Sequence, residues 1–215
     1  LKGGSIDIPQ NIFYLPAMDE KQAYFDRIGH IWDTEHTAED LERLSHIIDS
    51  LQLADGWKIC DLGCGTGVLF DILRRKVGIC GCIAGVDFAP HVAQQARGNF
   101  PFKNIDLVIA DAASLPFASG IFDIVVSFAA FPHFSKKDRV IKESHRILRS
   151  GGRLAIVHLT GSRELAMIHH HAGGPVENDH LPERKQMEEI FRKGDFVNVE
   201  LTDTDNLYMA IGQKR

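Results

Sequence analysis

The feature that most constrains this chain is an alternation of short apolar runs with amphipathic segments, which begins at Lys58 and holds to Leu159. Lys58 to Leu62, Ile83 to Asp87, Ile105 to Ala110, Phe122 to Phe128 and Arg153 to Leu159 read as strands. They are nearly continuous in Val, Ile, Leu, Ala and Phe, the pattern of strands covered on both faces. Between them Val68 to Arg75, Pro90 to Arg97 and Lys136 to Leu148 read as helices, the second with proline in its first turn. Ser135 with Asp138 resembles a capping box for the third helix, and Gly151-Gly152 is expected to end it. Such alternation predicts an α/β fold built on a doubly wound, mostly parallel sheet.

The flanks follow other patterns. From Lys21 to Leu51 the sequence is helical, with Leu41, Leu44, Ile47, Ile48 and Leu51 at three- and four-residue spacing and a helix start at Thr37 and Asp40. After Thr160 come a polar helix, a Gly-Pro loop and a helix over Pro182 to Arg192. Two strands near Phe196 to Leu201 and Leu207 to Ile211, joined by Thr202 to Asn206, read as a hairpin. The expected architecture is a seven-stranded sheet with an antiparallel C-terminal edge hairpin and an N-terminal helical cap. At 215 residues there is room for one sizeable core. A single domain is expected, with the cap over 1–53, a ligand-binding core over 54–160, and an insert plus hairpin over 161–215.

A net charge of -5 offers no footprint for nucleic acid or an anionic membrane surface. Arg74-Arg75-Lys76 is short enough to be the solvated end of a helix. No apolar stretch approaches the roughly 20 residues needed to span a bilayer, so no stable membrane insertion is expected. Leu1-Lys2-Gly3-Gly4 does not lead into an apolar run, which points to a cytoplasmic location. Cys60, Cys64, Cys80 and Cys82 lack paired CxxC spacing and read as reduced thiols rather than a zinc site or disulfides.

Asp61-Leu62-Gly63-Cys64-Gly65-Thr66-Gly67 stands between the first strand and its helix. In an open α/β sheet, ligands bind beyond the carboxyl ends of the strands near the first crossover. Glycines there turn the chain sharply and let a ligand lie against bare backbone. The spacing is GxGxG rather than the GxGxxG of dinucleotide sites, and an aspartate precedes it. An acid so close suits a ligand with a cationic end. Asp87 closes the second strand, where a carboxylate can accept both hydroxyl protons of a ribose or, alternatively, merely cap a helix.

Further segments share this order: Gly85-Val86-Asp87-Phe88, Ala110-Asp111-Ala112 with Leu115-Pro116-Phe117, Phe122 to Ser127, and Leu148 to Leu154. Together with Asp61 to Val68 they resemble the class I S-adenosylmethionine (SAM) methyltransferases, in particular the ubiquinone/menaquinone biosynthesis methyltransferase-like (methyltransferase type 11) group. The resemblance covers about Lys58 to His158. It implies a Rossmann-like methyltransferase fold with SAM as cofactor and methyl transfer to a small-molecule acceptor by direct in-line displacement. It also implies that Asp61, Gly63 and Gly65, with Cys64 in the same turn, hold the amino-acid end of SAM, and that Asp87 holds the ribose. Asp111 would reach the adenine amino group, with Ala112 and Phe88 flanking the ring, and Phe128 would line the methyl-donor pocket. The segment from Tyr24 to Asp33 is similar to the family's entrance helix, which makes Phe25 and Trp32 candidates against the sulfonium or the acceptor. Alternatively, these aromatics only pack the helix onto the sheet.

Histidine is abundant, at 11 residues. His133, after the fourth strand in Phe131-Pro132-His133-Phe134, is a candidate pocket residue and general base, or else a loop histidine with a structural hydrogen bond. His169-His170-His171 point about 100° apart on a helix and cannot converge on one metal. No metal is expected, a site formed by one of them with His180 or His158 being the alternative; His170 is the candidate substrate-facing residue of the insert, or else the insert is an exposed polar helix. The apolar Ser127-Phe128-Ala129-Ala130-Phe131-Pro132 suggests an acceptor with apolar parts. Two other readings remain: a SAM-binding protein without catalysis, and a nicotinamide-dependent oxidoreductase. The spacing of the glycines and the lack of an evident Tyr-x-x-x-Lys pair count against the second.

Overall fold

The computed structural model describes Ile6 and residues 20–215, apart from the side chains of residues 30 and 32–35. The chain enters through α1 (Glu20–Glu35) and α2 (Ala38–Ser50), then alternates β1 (Lys58–Leu62), α3 (Phe70–Val77), β2 (Cys82–Asp87), α4 (Pro90–Asn99) and β3 (Ile105–Ile109). The second half runs β4 (Phe122–Phe128), α5 (Lys137–Ile147), β5 (Leu148–His158), α6 (Ser162–Ala172), α7 (Arg184–Lys193), β6 (Phe196–Thr204) and β7 (Leu207–Lys214). The seven strands lie in the order β3-β2-β1-β4-β5-β7-β6. The first five are parallel, while β7 is antiparallel to both β5 and β6. This is the expected mostly parallel sheet with its antiparallel C-terminal edge.

Successive strand residues face opposite sides, so each strand feeds two cores. On one side Cys60, Leu62, Val125, Leu154 and Ile156 meet Val140 and Ile141 of α5 and Met187 and Phe191 of α7. On the other, Ile59, Ile124, Val126, Ala155 and Val157 meet Leu44 and Ile48 of α2 and Phe70 and Leu73 of α3. Both faces are dry, which is why the strand sequences are continuous in apolar residues.

The helical run at the front is two helices. Thr37 breaks it by capping α2: its side chain accepts from the Asp40 amide at 3.1 Å, and the Asp40 carboxylate accepts from the Thr37 amide at 3.1 Å. The other expected box is absent. The N-cap of α5 is Lys136, whose side chain makes no capping bond, and Lys137 instead donates to the carbonyls of Pro132 and Phe134. Gly151-Gly152 does not end that helix either. The helix stops at Ile147 and the glycines lie inside β5, where the register against β4 shifts between Phe122 and Ile124. Gly151 takes φ +75, and a Cβ on Gly152 would meet the Arg149 carbonyl at 2.9 Å. The glycines serve a bulge rather than a helix stop. The hairpin strands are longer than expected, pairing up to Thr204 and Leu207.

Because β1 sends its connections first to β2 and β3 and then back across to β4, the sheet reverses order between β1 and β4. The tips Leu62, Asp87, Phe128 and His158 therefore end along one edge. Over that edge α1 is pinned to α4. The Asp26 carboxylate accepts from the His91 amide at 3.0 Å and contacts its ring at 3.1 Å, while Gly29 leaves space for Val92.

The turn after β1 depends on bare backbone. Gly67 has φ +96, and a Cβ there would stand 2.6 Å from Phe70 and 2.9 Å from Phe100. Gly67→Ala is expected to destabilise the chain by about 2–4 kcal/mol, combining left-handed strain with overpacking. Gly98→Ala in α4, where a Cβ meets nothing within 4 Å, should instead stabilise by up to about 1 kcal/mol. Urea denaturation of both variants checks the pair.

Candidate functional site

A cavity of about 890 Å³ opens over the carboxyl tips of the strands and beneath α1. At its floor the β1 tip and the glycine turn are tied to β2. The Gly63 and Cys64 amides donate to the Val86 carbonyl at 2.8 and 3.0 Å, and Gly63 and Gly65 take φ +77 and +54. A Cβ on Gly63 would sit 2.3 Å from Ala130, so this glycine is needed for packing against the segment after β4. A Cβ on Gly65 would meet nothing within 4 Å; its bare edge faces the open cavity.

Two carboxylates stand beside this turn. Asp87 is anchored, its oxygens accepting from the Gly65 amide and from the Ala89 amide, each at 2.9 Å. Burial raises its pKa against the pull of these amides. Asp61 differs. It is 1% exposed, and neither carboxyl oxygen has a hydrogen-bond partner among the described residues. Burial, with the Asp87 charge adding to it, pushes its pKa up to about 8. A buried carboxyl without a partner is costly as an anion and becomes favourable once a cation reaches it.

The other residues expected on the cofactor side line the same cavity. Phe88, Asp111, Ala112 and Phe128 all border the cavity. The Asp111 carboxylate accepts from the Ala113 amide at 2.8 Å, and Phe88 meets Phe25 edge-on at 5.8 Å between ring centres. Cys64 lines the floor as well, but burial raises its thiol far above its usual range and keeps it protonated.

Another part of the cavity lining is histidine-rich. His133 sits in a short 3-10 turn, Phe131–His133, directly after β4. Its Nδ1 lies 2.7 Å from Asp179 Oδ2, and the other oxygen of Asp179 takes the Lys21 ammonium at 2.6 Å. Lys21 belongs to α1, His133 to the β4 loop and Asp179 to the insert, so one carboxylate joins three separate segments. Phe25 and His169 flank the His133 ring, at 4.8 and 4.9 Å between centres. Burial lowers the His133 pKa even though Asp179 opposes it, leaving the ring neutral near pH 7. For Asp179 burial acts upward, but the bonds from His133 and Lys21 outweigh it and hold the carboxyl below its ordinary value.

Phe25 and His133 thus share the cavity with the glycine turn, whereas Trp32 lies outside the described side chains. His170 does not border the cavity: its side chain is 72% exposed and its Nδ1 stands 3.7 Å from Glu177. One residue earlier on α6, His169 is buried, borders the cavity and has its Nδ1 2.6 Å from the Asp179 carbonyl. The 100° between helix neighbours separates the two. Sequence reasoning missed Lys21 and Asp179 altogether. Asp179 is 46 positions from its histidine, and no spacing rule links an acidic loop residue to a partner that far away. Among the described residues no three His, Cys, Asp or Glu side chains form a metal-binding group, and no helix is long and apolar enough to cross a membrane.

Residues 60–156 match the family model described as a methyltransferase domain. The chain is 34% identical over 124 residues to the arsenite methyltransferase of Aquipseudomonas alcaligenes, covering 53% of this chain and 36% of that protein. To the 2-phytyl-1,4-naphtoquinone methyltransferase of Thermosynechococcus vestitus it is 32% identical over 148 residues, 65% of this chain and 64% of that protein. The chain therefore spans between about a third and two-thirds of these relatives. A solved structure of a SAM-dependent methyltransferase from Thermotoga maritima superposes with a TM-score of 0.70 over 91% of this chain and 100% of its own; at 18% identity that likeness concerns the fold alone. The glycine turn, the acids at the strand tips, the sheet order and the matched domain agree, and the chain belongs to the class I SAM-dependent methyltransferases.

Proposed function

We propose that this chain transfers the methyl group of SAM to a small organic acceptor with apolar parts, bound at the His133 end of the same cavity. The observation that carries the reading is Asp61, a buried carboxyl near an open glycine edge with no hydrogen-bond partner among the described residues. An ammonium group is the ligand chemistry that such a carboxyl lacks. Asp61 with the Gly63, Cys64 and Gly65 backbone would hold the amino-acid end. Asp87 would accept from the ribose hydroxyls, and Asp111, Ala112 and Phe88 would surround the adenine. Phe128 would border the donor methyl. Bound SAM supplies a methyl group already activated by its sulfonium, so the protein's share is to position the acceptor and exclude water.

On the acceptor side, Phe25 of α1 closes the cavity from above. His133, held by Asp179 through Nδ1, is the proton acceptor at this end. Its depressed pKa leaves the neutral form dominant near pH 7, as proton acceptance requires. The Asp179 carboxylate offsets the charge that the ring gains. The acceptor's proton, where it has one to lose, passes to His133.

Asp61 yields a test in two parts. Its folded pKa of about 8 stands above the unfolded value of 3.8, so the folded state holds the proton longer. Its contribution to stability is then complete below about pH 4 and lost as pH rises toward 8. In Asp61→Asn that slope should flatten, as read from urea midpoints of the ligand-free protein between pH 4 and 8. Calorimetric titration with SAM should weaken about 10- to 150-fold in the same variant, the loss of a bond to a charged group. Unchanged SAM affinity in Asp61→Asn would sink the reading, as would wild-type protein that binds neither SAM nor its demethylated product at micromolar levels.

His133 and Asp179 yield another. With a panel of hydroxylated and amino acceptors and radiolabelled SAM, His133→Ala should lower turnover by about 10²–10⁴-fold while SAM affinity stays near wild type. Asp179→Asn removes the charge that supports the imidazolium, so the acid limb of the rate profile should move to lower pH and the plateau should fall. Binding of SAM without turnover on any acceptor would leave a SAM-binding protein and overturn the catalytic role.

A further inference from the structure

One polar group bordering the cavity has no part in the chemistry above. His158 closes β5, is 4% exposed and lines the histidine-rich end of the cavity. Its Nε2 is fully buried and has no hydrogen-bond partner among the described residues. Buried polar atoms are nearly always paired, and an unpaired one costs stability. Three polar neighbours are bonded elsewhere. His158 pairs in the sheet with Tyr208, whose hydroxyl donates to the Pro182 carbonyl at 2.7 Å, while Nδ1 of His133 and of His169 both face Asp179. The local fold does not call for an imidazole here, since Ile156 and Val157 before it are wholly buried and apolar.

We infer that His158 is a specificity-determining residue at the acceptor end of the cavity, its Nε2 reserved for one uncharged oxygen, hydroxyl or carbonyl, on an otherwise apolar acceptor. The inference rests on the reading of the cavity under Proposed function and narrows its acceptor. A neutral imidazole nitrogen donates or accepts one hydrogen bond according to its tautomer, which suits either kind of oxygen. Burial, reinforced by His133 and His169, brings the His158 pKa to about 3, so the ring offers no positive charge to an anion. The Lys21 charge is already matched by Asp179. Phe25, Leu165, Ile168 and Val176 supply apolar walls for the rest of the molecule. Lys136 borders the cavity too, so an acidic acceptor is the rival outcome to be separated.

The experiment uses the full chain saturated with S-adenosylhomocysteine and three probes of one shape: naphthalene, 1-naphthol and 1-naphthoate. Titration with S-adenosylhomocysteine comes first. If wild-type protein does not take it up, the cavity reading fails and this inference with it. If wild type and His158→Phe take it up alike, the probes report on His158 alone. Wild type should bind 1-naphthol about tenfold tighter than naphthalene, and the gap should shrink to less than about twofold in His158→Phe. The ligand-free variant should melt no lower than wild type, because the substitution deletes an unpaired buried nitrogen. As phenylalanine is the larger ring, His158→Leu is measured alongside. Three results overturn the assignment: 1-naphthoate binding tighter than 1-naphthol, a naphthol gap that survives both substitutions, or a fall of more than about 4 °C in the melting of both ligand-free variants. The last would mean that the imidazole has a structural partner of its own.

Discussion

The arrangement of this molecule depends on a carboxyl group kept dry at the end of β1. Asp61 reaches no donor among the described residues, and its neighbour Asp87 repels it. The chain could not easily keep such a group without a turn that leaves the site open to a ligand. The glycines provide that turn. Gly63 allows Ala130 to approach, Gly67 allows Phe70 and Phe100 to approach, and Gly65 alone leaves its space open. Packing closes two of the three glycines, and the open one donates its amide to Asp87.

The second constraint is the single carboxylate of Asp179. It takes an ammonium from α1 and an imidazole from the loop after β4, while its backbone carbonyl faces His169 of α6. Both ion-pair partners are largely buried, and a pair in that setting is expensive to break because the remaining charge is left unmatched. The helical cap, His133 and the insert are therefore one electrostatic unit. Asp26, bonded to the N-terminal end of α4, fastens the same cap on its other side. The roof of the cavity is thus held by charge at two points as well as by the packing of Phe25 against Phe88.

The two ends of the cavity differ in polarity for a physical reason. At the glycine end the buried ionisable groups are acids whose pKa values burial raises, which suits a cationic ligand. At the histidine end burial acts in the opposite direction on His133 and His158 and keeps both rings neutral. Low dielectric leaves the one set of groups as carboxyls that ionise favourably only beside a cation and the other as uncharged hydrogen-bonding groups among apolar side chains.

Much of this was readable in the chain itself. Strands buried on both faces must be apolar throughout, so β1, β2, β4 and β5 stood out, and glycines before a helix marked the turn because no other residue takes positive φ at little cost. Local rules erred where tertiary contacts compete with them. The N-cap of α5 fell on Lys136 rather than Ser135 while Lys137 bonds carbonyls across the loop, and Gly151-Gly152 joined a bulged strand because pairing with β4 outweighed the helix stop. Sequence periodicity determined the sheet, its order of elements and the acid-glycine turn, since these depend on neighbours a few residues apart. Only the folded chain decided that Asp179 would orient His133, that His169 rather than His170 would face inward, and that His158 Nε2 would be left without a partner among the described residues, because each of these is set by contacts between segments that meet only once the sheet has formed.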